Sequence, residues 1–493
     1  MFSFALGFAI KLLIVRTTSK EEFGIYSMAI AVCSIASIVP CLGLHEGVAR
    51  YIAVFLGEGK REAAGQISRS ALIIGAASGL TVATVLYLCS GIVSDDIFYK
   101  QELVLPLRIV SYCIPFIVFS QILIGILRGY GVIVAKVYFL DVGLPLYFFS
   151  LLGARFFLGL PFTAILYAYL IALIMVFFSI AVYGYNKIGT AIIGAGRGSH
   201  KGRLLSLSIP ILASSVMLLV FDWTDTLMLG RYASAADVGT YNVGISLARF
   251  LALPLNAMGF VFLPIAADLY GRRRETELKR SYQVVTKWVF SAAMPLFFVL
   301  FFFPEMTITL VFGGRFAEAA MPLRILAAGF LVQSFWGLNG HIMTARGMAG
   351  ALIRISAAGV FINVLLNYLF IKHLGYGPMG AAFATALSYV IITTLCAAIL
   401  QRETAIHPLT AGYLKPVAGL SVSGLIVYAL AKSLPFSLWI VPLYLLLFIA
   451  GYGVVLFLTK SVEREDIMLF DLIVERTGVK MKLIRSFLEK ACI

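Results

Sequence analysis

Long runs of apolar residues recur along almost the whole chain, and they constrain its fold more than any other feature. Most of them reach the length of about 20 residues that a helix needs to cross a bilayer's hydrocarbon core. They lack the alternation of polar and apolar residues that is typical of an outer-membrane barrel. Because backbone polar groups in lipid must be paired within the chain, the runs predict transmembrane helices.

The runs divide into fourteen predicted spans. They comprise residues 1–15, 24–56, 68–93, 104–127, 137–157, 162–185, 204–230, 239–269, 283–304, 321–345, 352–373, 379–400, 412–433 and 436–459. We therefore predict an all-α, polytopic membrane protein with about 14 transmembrane helices.

Composition agrees with this fold class. The chain is 61% hydrophobic and only 13% charged, whereas soluble domains carry about 25% charged residues. Its six cysteines are scattered, with no CxxC pair or Cys/His cluster, so we expect no disulfide, metal site or cofactor. The net charge of +15 comes from basic residues grouped in particular loops, which is typical of membrane topology signals, and we expect no nucleic-acid partner.

Two stretches about 215 residues apart are similar and reveal an internal duplication. Arg16 to Tyr26 reads RTTSKEEFGIY, and Arg231 to Tyr241 reads RYASAADVGTY. The same offset, within a few residues, relates two further pairs of markers: Pro106-Leu107-Arg108-Ile109 with Pro322-Leu323-Arg324-Ile325, and Arg128-Gly129 with Arg346-Gly347. Two homologous halves running in the same sense are the ground plan of a transporter.

The duplication predicts the domain organisation. Residues 1–185 form an N-terminal six-helix bundle, 186–203 a Gly-rich cytoplasmic linker, and 204–401 a C-terminal six-helix bundle. Helices 13 and 14 follow at 412–459, and 460–493 form an amphipathic tail on the cytoplasmic membrane surface. Only 15 residues precede Arg16, against about 25 before Arg231 in its own half, so we expect the start of helix 1 to be missing from this sequence.

The distribution of Lys and Arg predicts the orientation. Twenty-six of them fall in the loops after even-numbered spans and in the C-terminal tail, and ten fall in the opposite loops. The positive-inside rule then places the even loops and both termini in the cytoplasm, in a multi-pass protein of the plasma membrane. Six prolines interrupt the spans and predict bends: Pro40, Pro115, Pro145, Pro210, Pro254 and Pro295.

Several motifs resemble the polysaccharide exporter family of Wzx-type flippases. They are R..SKEEFGIYSMA, CLGLHEGVARYIA and the basic GKREA turn in the first half, and D..MLGRYASAADVGTYNVG with FLPIAADLYGR in the second. That family belongs to the superfamily of the multidrug and toxin extrusion (MATE) transporters and the lipid II flippase. The resemblance implies a MATE-like fold and translocation of a lipid-linked oligosaccharide from the cytoplasmic to the outer leaflet. Membrane lipids and glycan-assembly enzymes are then the expected partners.

Three cations inside predicted spans are candidate substrate-binding residues, because a charge in the bilayer costs about 2.5 to 3.5 kcal/mol on insertion scales. Arg249 lies near mid-depth in span 8. It either faces a cavity and contacts the substrate phosphate, as the resemblance to the lipid II flippase implies, or pairs with a carboxylate. Arg50 either binds substrate, snorkels, or pairs with Glu46 at i, i+4. Lys11 in span 1 is a third candidate cation.

Polar residues inside spans are further candidates. Asp222 and Asp225 share a face of span 7 and could bind a coupling H⁺ or Na⁺, or else be solvated or paired with Arg231. Asp141 in span 5 either has a coupling or substrate role or is a solvated helix-end acid. Asn363 and Asn367 in span 11 could bind sugar, or could hydrogen-bond between helices.

Three rival functions are weighed against the flippase. A cation-coupled MATE-type multidrug exporter would be expected to have an acidic cavity, whereas the three cations favour the flippase. A membrane-embedded glycosyltransferase would need catalytic residues in a large aqueous loop, and no loop exceeds about twenty residues, so we do not expect an enzyme. The third rival is a scaffold without transport.

Overall fold

The described part of the chain is built of helices and contains no strand. The computed structural model describes residues 2–193, 201–408, 410–433 and 441–459, with the single residues 461, 467 and 474. Its long helical segments are α1 (Phe2–Thr17), α2 (Lys20–Gly57), α3 (Arg61–Leu88), α4 (Gln101–Gly129), α5 (Lys136–Leu158), α6 (Thr163–Ile193), α7 (Lys201–Tyr232), α8 (Ala235–Gly271), α9 (Glu275–Phe302), α10 (Gly314–Ala345), α11 (Ala349–His373), α12 (Gly377–Thr404), α13 (Leu414–Ser433) and α14 (Val441–Leu458).

These segments confirm the predicted fold class. Ten of them, α2 to α6 and α8 to α12, are long and apolar enough to cross a membrane, and α13 and α14 contain shorter apolar helices. The fourteen segments agree in number and order with the fourteen predicted spans. Residues 194–200 of the predicted linker, and all but three of residues 460–493 of the predicted tail, lie outside the described residues.

The chain divides into two compact units. Unit 1 comprises Met1–Asn242 and Ile371–Pro378, and unit 2 comprises Val243–Phe370 and Met379–Ile493. The division that the duplication predicts, with bundles at 1–185 and 204–401, stays a prediction. Each unit is described by itself below.

The duplicated stretch forms the same helix start twice in unit 1. At the start of α2, the Glu22 N–H donates to Ser19 Oγ (3.1 Å) and the Ser19 N–H donates to Glu22 Oε2 (2.9 Å). At the start of α8, the Asp237 N–H donates to Ser234 Oγ (3.1 Å) and the Ser234 N–H donates to Asp237 Oδ2 (3.0 Å). Both are capping boxes, which pair N–H groups that a helix start otherwise leaves free. The match of Glu22 with Asp237 therefore has a structural reason.

The glycines of the same stretch meet face to face. A Cβ on Gly24 would overlap the carbonyl oxygen of Ala235, and a Cβ on Gly239 would overlap that of Lys20. Because Gly24 matches Gly239 and Lys20 matches Ala235 in the repeat, the contact is reciprocal. Small residues allow membrane helices this close an approach. Within unit 1, the two repeated stretches thus touch at equivalent positions.

Of the two other pairs of repeated markers, one makes similar contacts in both halves and one does not. Arg108 Nε donates to Ser90 Oγ (3.2 Å), just after the end of α3, and Arg324 Nε donates to the Phe301 carbonyl (2.9 Å), at the end of α9. Each arginine is thus bonded near the end of the preceding long helix. Arg346 at the end of α10 donates to Glu275 Oε1 (3.2 Å) at the start of α9. Its counterpart Arg128 makes the ion pair described below.

Unit 2 contains a buried polar network and, apart from it, an apolar cavity with partly exposed walls. The Tyr282 hydroxyl shares its one proton between two acceptors, the Trp336 carbonyl (3.1 Å) and Asn339 Oδ1. Asn339 Nδ2 donates to the Thr393 carbonyl (3.0 Å). The network lies where α10 is interrupted at Gly337, whose φ of 62° suits glycine. A cavity of about 440 Å³ lies between α9 and α13, and its wall includes Phe298, which stacks on Phe448 of α14 at 3.9 Å between ring centroids.

Candidate functional site

Helix α2 is interrupted halfway along its length. Its first half, Lys20–Cys41, ends just after Pro40, and its second half begins at Leu44. Leu42 and Gly43 between them both have left-handed backbone angles, with φ of 47° and 64°. Proline has no N–H to donate within a helix, and two successive left-handed residues stop the helical ladder. The Ser78 hydroxyl of α3 lies within hydrogen-bond distance of the Pro40 carbonyl at this break (2.9 Å) and of the Ile74 carbonyl in its own helix (2.8 Å).

An ion pair lies on the second half of α2, directly after the break. Arg128, near the end of α4, contacts Glu46 Oε2 through Nη2 at 2.6 Å and also donates to the His45 carbonyl (3.4 Å). His45 Nε2 lies 3.9 Å from Glu46 Oε1. Gly125 allows α4 to come this near, since a Cβ there would overlap the His45 carbonyl. Glu46 therefore has an arginine from another helix as its partner.

A cavity of about 370 Å³ opens beside this break in unit 1. Residues of α2, α4, α5, α6 and α7 line it. The polar lining residues are Ser34, Ser37, His45, Ser120, Gln121 and Tyr169, and the others are Ile38, Cys41, Ile117, Leu140, Leu144, Leu173 and Leu219. The wall thus combines hydroxyl, amide and imidazole groups with aliphatic side chains.

Two polar atoms of the lining are buried without a hydrogen-bond partner in the described part of the chain. They are His45 Nδ1 and Ser120 Oγ. Ser120 as a whole is only 1% exposed. Buried polar groups are nearly always hydrogen-bonded, so each exception calls for an explanation. The interruption, the ion pair and this cavity together are our candidate functional site.

The three predicted cations are not among the residues that line the cavity. Arg249 lies in unit 2, where it begins the 3-10 turn Arg249–Ala252 that interrupts α8, and its side chain is exposed. Arg50 is exposed on the second half of α2. Lys11 of α1 is half-buried, with Nζ 5.9 Å from the centroid of the Phe23 ring. The pair of Arg50 with Glu46, which the sequence left open, is replaced by that of Arg128 with Glu46.

The predicted coupling acids have different surroundings. Asp225 of α7 is 2% exposed and accepts a hydrogen bond from the Tyr241 hydroxyl of α8, whereas Asp222 is exposed. Asp141 is half-buried in the π-helical first part of α5, next to the cavity residue Leu140. The sequence did not single out Tyr241 as a partner for Asp225.

The predicted asparagine pair is brought together in unit 2. Both side chains are fully buried, and Asn367 Nδ2 donates to the Asn363 carbonyl (3.0 Å) and to Asn363 Oδ1 (3.2 Å). Asn363 Nδ2 also donates to Thr385 Oγ1 of α12 (3.5 Å). This geometry favours the hydrogen bonding between helices that the sequence left open.

A second cluster in unit 1 joins the segment between α3 and α4 to the end of α7. Lys100 Nζ donates to the carbonyls of Gly230 (2.6 Å) and Ala233 (2.9 Å). The Arg231 guanidinium lies 4.0 Å from the centroid of the Tyr99 ring and donates to its hydroxyl (2.9 Å). We call these contacts the α7 clasp.

The surroundings of the α7 clasp change the pKa of Lys100. Burial lowers the pKa of the Lys100 ammonium, because desolvation disfavours the charged form. The carboxylates of Asp237 and Glu102 oppose this change, and the charge of Arg231 adds to it. The carbonyls at the end of α7 carry partial negative charge, which a cation at this position complements.

Comparison with known families decides the chain's membership. The family described as "Polysaccharide biosynthesis protein" matches residues 1–270, more than half of the chain. The chain belongs to this polysaccharide biosynthesis family. A second family, MatE, matches residues 210–369, which agrees with a common superfamily.

Relatives and solved structures agree with that membership. The chain is 25% identical over 250 residues to the probable low-salt glycan biosynthesis flippase Agl15 of Haloferax volcanii, a match that covers 50% of this chain and 51% of the relative. It is 21% identical over 462 residues to the stage V sporulation protein B of Bacillus subtilis, covering 88% and 87%. An inward closed structure of the lipid II flippase MurJ has a TM-score of 0.70 at 14% identity, covering 92% of this chain and 96% of that one. This last likeness shows the MATE-like fold of the family.

The residues of the candidate site were only partly visible in the sequence. Pro40, Gly43, His45 and Glu46 interrupt an otherwise apolar run, and that signal could have predicted a break in α2. Ser120 and Gln121 gave no such signal, since single polar residues are common in membrane helices. Their role depends on which face of α4 meets the break, and that is a property of the packed unit.

Proposed function

We propose that this member of the polysaccharide biosynthesis family is a flippase that moves a lipid-linked oligosaccharide across the cytoplasmic membrane by alternating access. The observation that carries the proposal is the family match over residues 1–270, together with the flippase name of the relative from Haloferax volcanii. The chain spans about half of that relative's length, so the substrate is part of the proposal. The protein acts as a transporter and not as an enzyme. Both termini lie on the cytoplasmic side.

The chemistry of such a substrate assigns roles to the predicted residues. A polyprenyl-diphosphate sugar carries negative charge on its phosphates, and arginine is well suited to phosphate because its donors form a planar fork. Arg249 is the principal phosphate contact in this proposal, with Arg50 and Lys11 as further cations. A 3-10 turn in a membrane helix, as at Arg249, is typical of positions where backbone irregularity serves function.

The remaining residues complete the proposal. Asn363 and Asn367 hold α11 to α12 and, where they become accessible during transport, contact sugar. Asp225, with Asp222 and Asp141, couples transport to H⁺ or Na⁺. The two bundles of 1–185 and 204–401 move relative to one another around the linker 186–203. Glycan-assembly enzymes supply the substrate from the cytoplasmic side.

One observation favours a second function. The MatE match over residues 210–369 fits a cation-coupled exporter of small drugs. Both functions can be tested in one preparation, the purified full-length protein in sealed vesicles. A fluorescent polyprenyl-diphosphate oligosaccharide should change leaflets faster than in protein-free vesicles, while ethidium export under a proton gradient should stay at the protein-free rate. The reverse result would replace the flippase by the drug exporter.

A further inference from the structure

The cavity of unit 1 contains hydrogen-bonding groups that the protein itself does not use. Ser120 Oγ and His45 Nδ1 are buried without a partner in the described residues, and both residues line the same space. A third polar lining residue, Ser37, donates to the Ser34 carbonyl (2.9 Å) and so keeps its acceptor lone pairs free. A ligand in the cavity would satisfy groups that are otherwise left unpaired, which is a reason for it to bind there.

The charges around the cavity point to a neutral ligand. No Asp, Glu, Lys or Arg is among the thirteen described residues of the lining. Two carboxylates adjoin lining residues in the sequence: Glu46, which is paired with Arg128 at 2.6 Å, and Asp141, which follows Leu140. The break in α2 presents the carbonyl end of one half-helix and the N–H end of another, so neither helix dipole dominates. Gly43 at the N-cap of the second half provides no side-chain cap for those N–H groups.

The shape and chemistry of the wall narrow the ligand class. Hydroxyl, amide and imidazole groups both donate and accept hydrogen bonds, and they face the same space as the apolar side chains of Ile117, Leu173 and Leu219. A pyranose ring has this combination, with hydroxyls around its rim and C–H groups on its faces. A volume of about 370 Å³ is near the lower end for ligand pockets, about 300 to 1,000 Å³. It suits one sugar ring better than a chain of them.

The second half of the chain provides an internal comparison. The register that matches Arg128 with Arg346 also matches Gln121 with Asn339. In unit 2, Asn339 is bonded to Tyr282 and to the Thr393 carbonyl, which fills the corresponding place with protein groups. In unit 1, Gln121 lines an open cavity. At this position of the repeat, the polar side chain lines a cavity in the first half and is bonded by protein groups in the second.

We propose that this cavity is a binding subsite for one neutral sugar ring of the transported glycan. The proposal rests on the flippase function above and deepens it, because it assigns a place for a sugar apart from the cations that would hold the diphosphate. Ser120, His45 and Gln121 would bond the ring hydroxyls. The Glu46–Arg128 pair would keep the second half of α2 in position without adding net charge.

Binding of simple sugars to the full-length protein in lipid nanodiscs tests the subsite. The probes are methyl pyranosides of glucose, galactose, mannose and N-acetylglucosamine, followed by saturation-transfer NMR. We expect at least one of them to bind. Loss of one neutral hydrogen bond in Ser120→Ala should weaken binding about 3- to 10-fold, and Ser120→Leu, which fills the space, should abolish it. The matched control is Ser388→Ala, since Ser388 is equally buried but lies outside the cavity and bonds its own helix at the Ala384 carbonyl.

The outcomes separate this subsite from the proposed function. Absence of binding by all four glycosides, or binding that Ser120→Leu leaves unchanged, would overturn the subsite. A second result would also overturn the subsite: no glycoside binds, and transport takes up protons in the wild type but not in His45→Gln. The cavity would then be a proton-binding site. Translocation of the fluorescent lipid-linked oligosaccharide is measured on the same preparations. If no glycoside binds while the wild-type protein still translocates the lipid-linked oligosaccharide, only the subsite proposal is contradicted. If the wild-type protein does not translocate it, the proposed flippase function is contradicted.

Discussion

At the residue scale, the clearest consequence of the structure is that one acidic charge of α2 and one basic charge of α4 are paired with each other. Glu46 and Arg128 belong to different helices, and each would be an isolated charge in a span without the other. Breaking a buried pair is more damaging than replacing both members, since the remaining charge has no partner. Both side chains are more than a third exposed, at 44% and 37%, which reduces the expected effect.

A double-mutant cycle measures this pair. Arg128→Met should lower the free energy of unfolding by about 1 to 2 kcal/mol, below the range for fully buried pairs. The double variant Glu46→Gln with Arg128→Met should recover at least half of that loss. Thermal unfolding in detergent provides the measurement, and Arg354→Met, at an exposed arginine of α11, is the control. A double variant less stable than either single variant would contradict the role of the pair.

The reciprocal glycine contact makes a second prediction at this scale. Gly24→Ala should destabilise the protein by about 1 to 3 kcal/mol, because the new methyl group would overlap the Ala235 carbonyl. Gly57→Ala is the matched control, since nothing lies near a Cβ at that helical glycine, and it should be neutral or slightly stabilising. Unfolding in the same detergent compares the two. Equal stability of the two variants would show that α2 and α8 are not in this close contact.

At the element scale, the sequence predicts the helices well and their interruptions poorly. The apolar runs predicted all fourteen helical segments. The reason is that a chain in lipid must pair its own backbone polar groups, which a helix does within a single segment. Proline alone was an unreliable guide to breaks. Pro40 precedes the break in α2, whereas Pro295 lies inside the continuous helix Glu275–Phe302. The two sites differ because Leu42 and Gly43, which follow Pro40, both have left-handed backbone angles. These angles end the helical hydrogen bonding, whereas a proline alone removes only one hydrogen bond.

The α7 clasp is a prediction about an element and its neighbour. Lys100→Met removes the donors to the Gly230 and Ala233 carbonyls, so the end of α7 should open more often. Amide hydrogen exchange near residues 230–234 should speed up about 5- to 30-fold, which corresponds to about 1 to 2 kcal/mol of lost hydrogen bonding. Lys60→Met, at an exposed lysine paired locally with Glu58, should leave that exchange unchanged. Equal exchange in the two variants would contradict the clasp.

At the scale of the whole molecule, the duplication explains more than any single motif. The repeated stretches predicted two like halves, and the structure gives those stretches the same capping boxes and one pair of similar arginine contacts. Sequence also predicted the family, which the match over residues 1–270 confirms. The candidate cavity could not be predicted, because it depends on how α2, α4, α5, α6 and α7 pack around the break. Run length and charge counts contain no information about that packing.

Orientation is also a prediction for the whole molecule. In a background without native cysteines, Lys279→Cys near the start of α9 should react with an impermeant maleimide only from the cytoplasmic side. Lys372→Cys at the end of α11 should react only from the other side. The physical reason is the excess of basic residues in the even loops. Labelling of both positions from the same side would contradict the proposed topology.

The central claim is that this chain moves a lipid-linked oligosaccharide, with Arg249 holding its phosphate. The most direct measurement is the initial rate at which a fluorescent polyprenyl-diphosphate oligosaccharide becomes accessible to an impermeant quencher in sealed vesicles. We predict a rate well above that of protein-free vesicles, a fall of about 10- to 100-fold in Arg249→Ala from the loss of a charge-assisted contact, and no change in Arg354→Ala. A wild-type rate equal to that of protein-free vesicles would contradict the account.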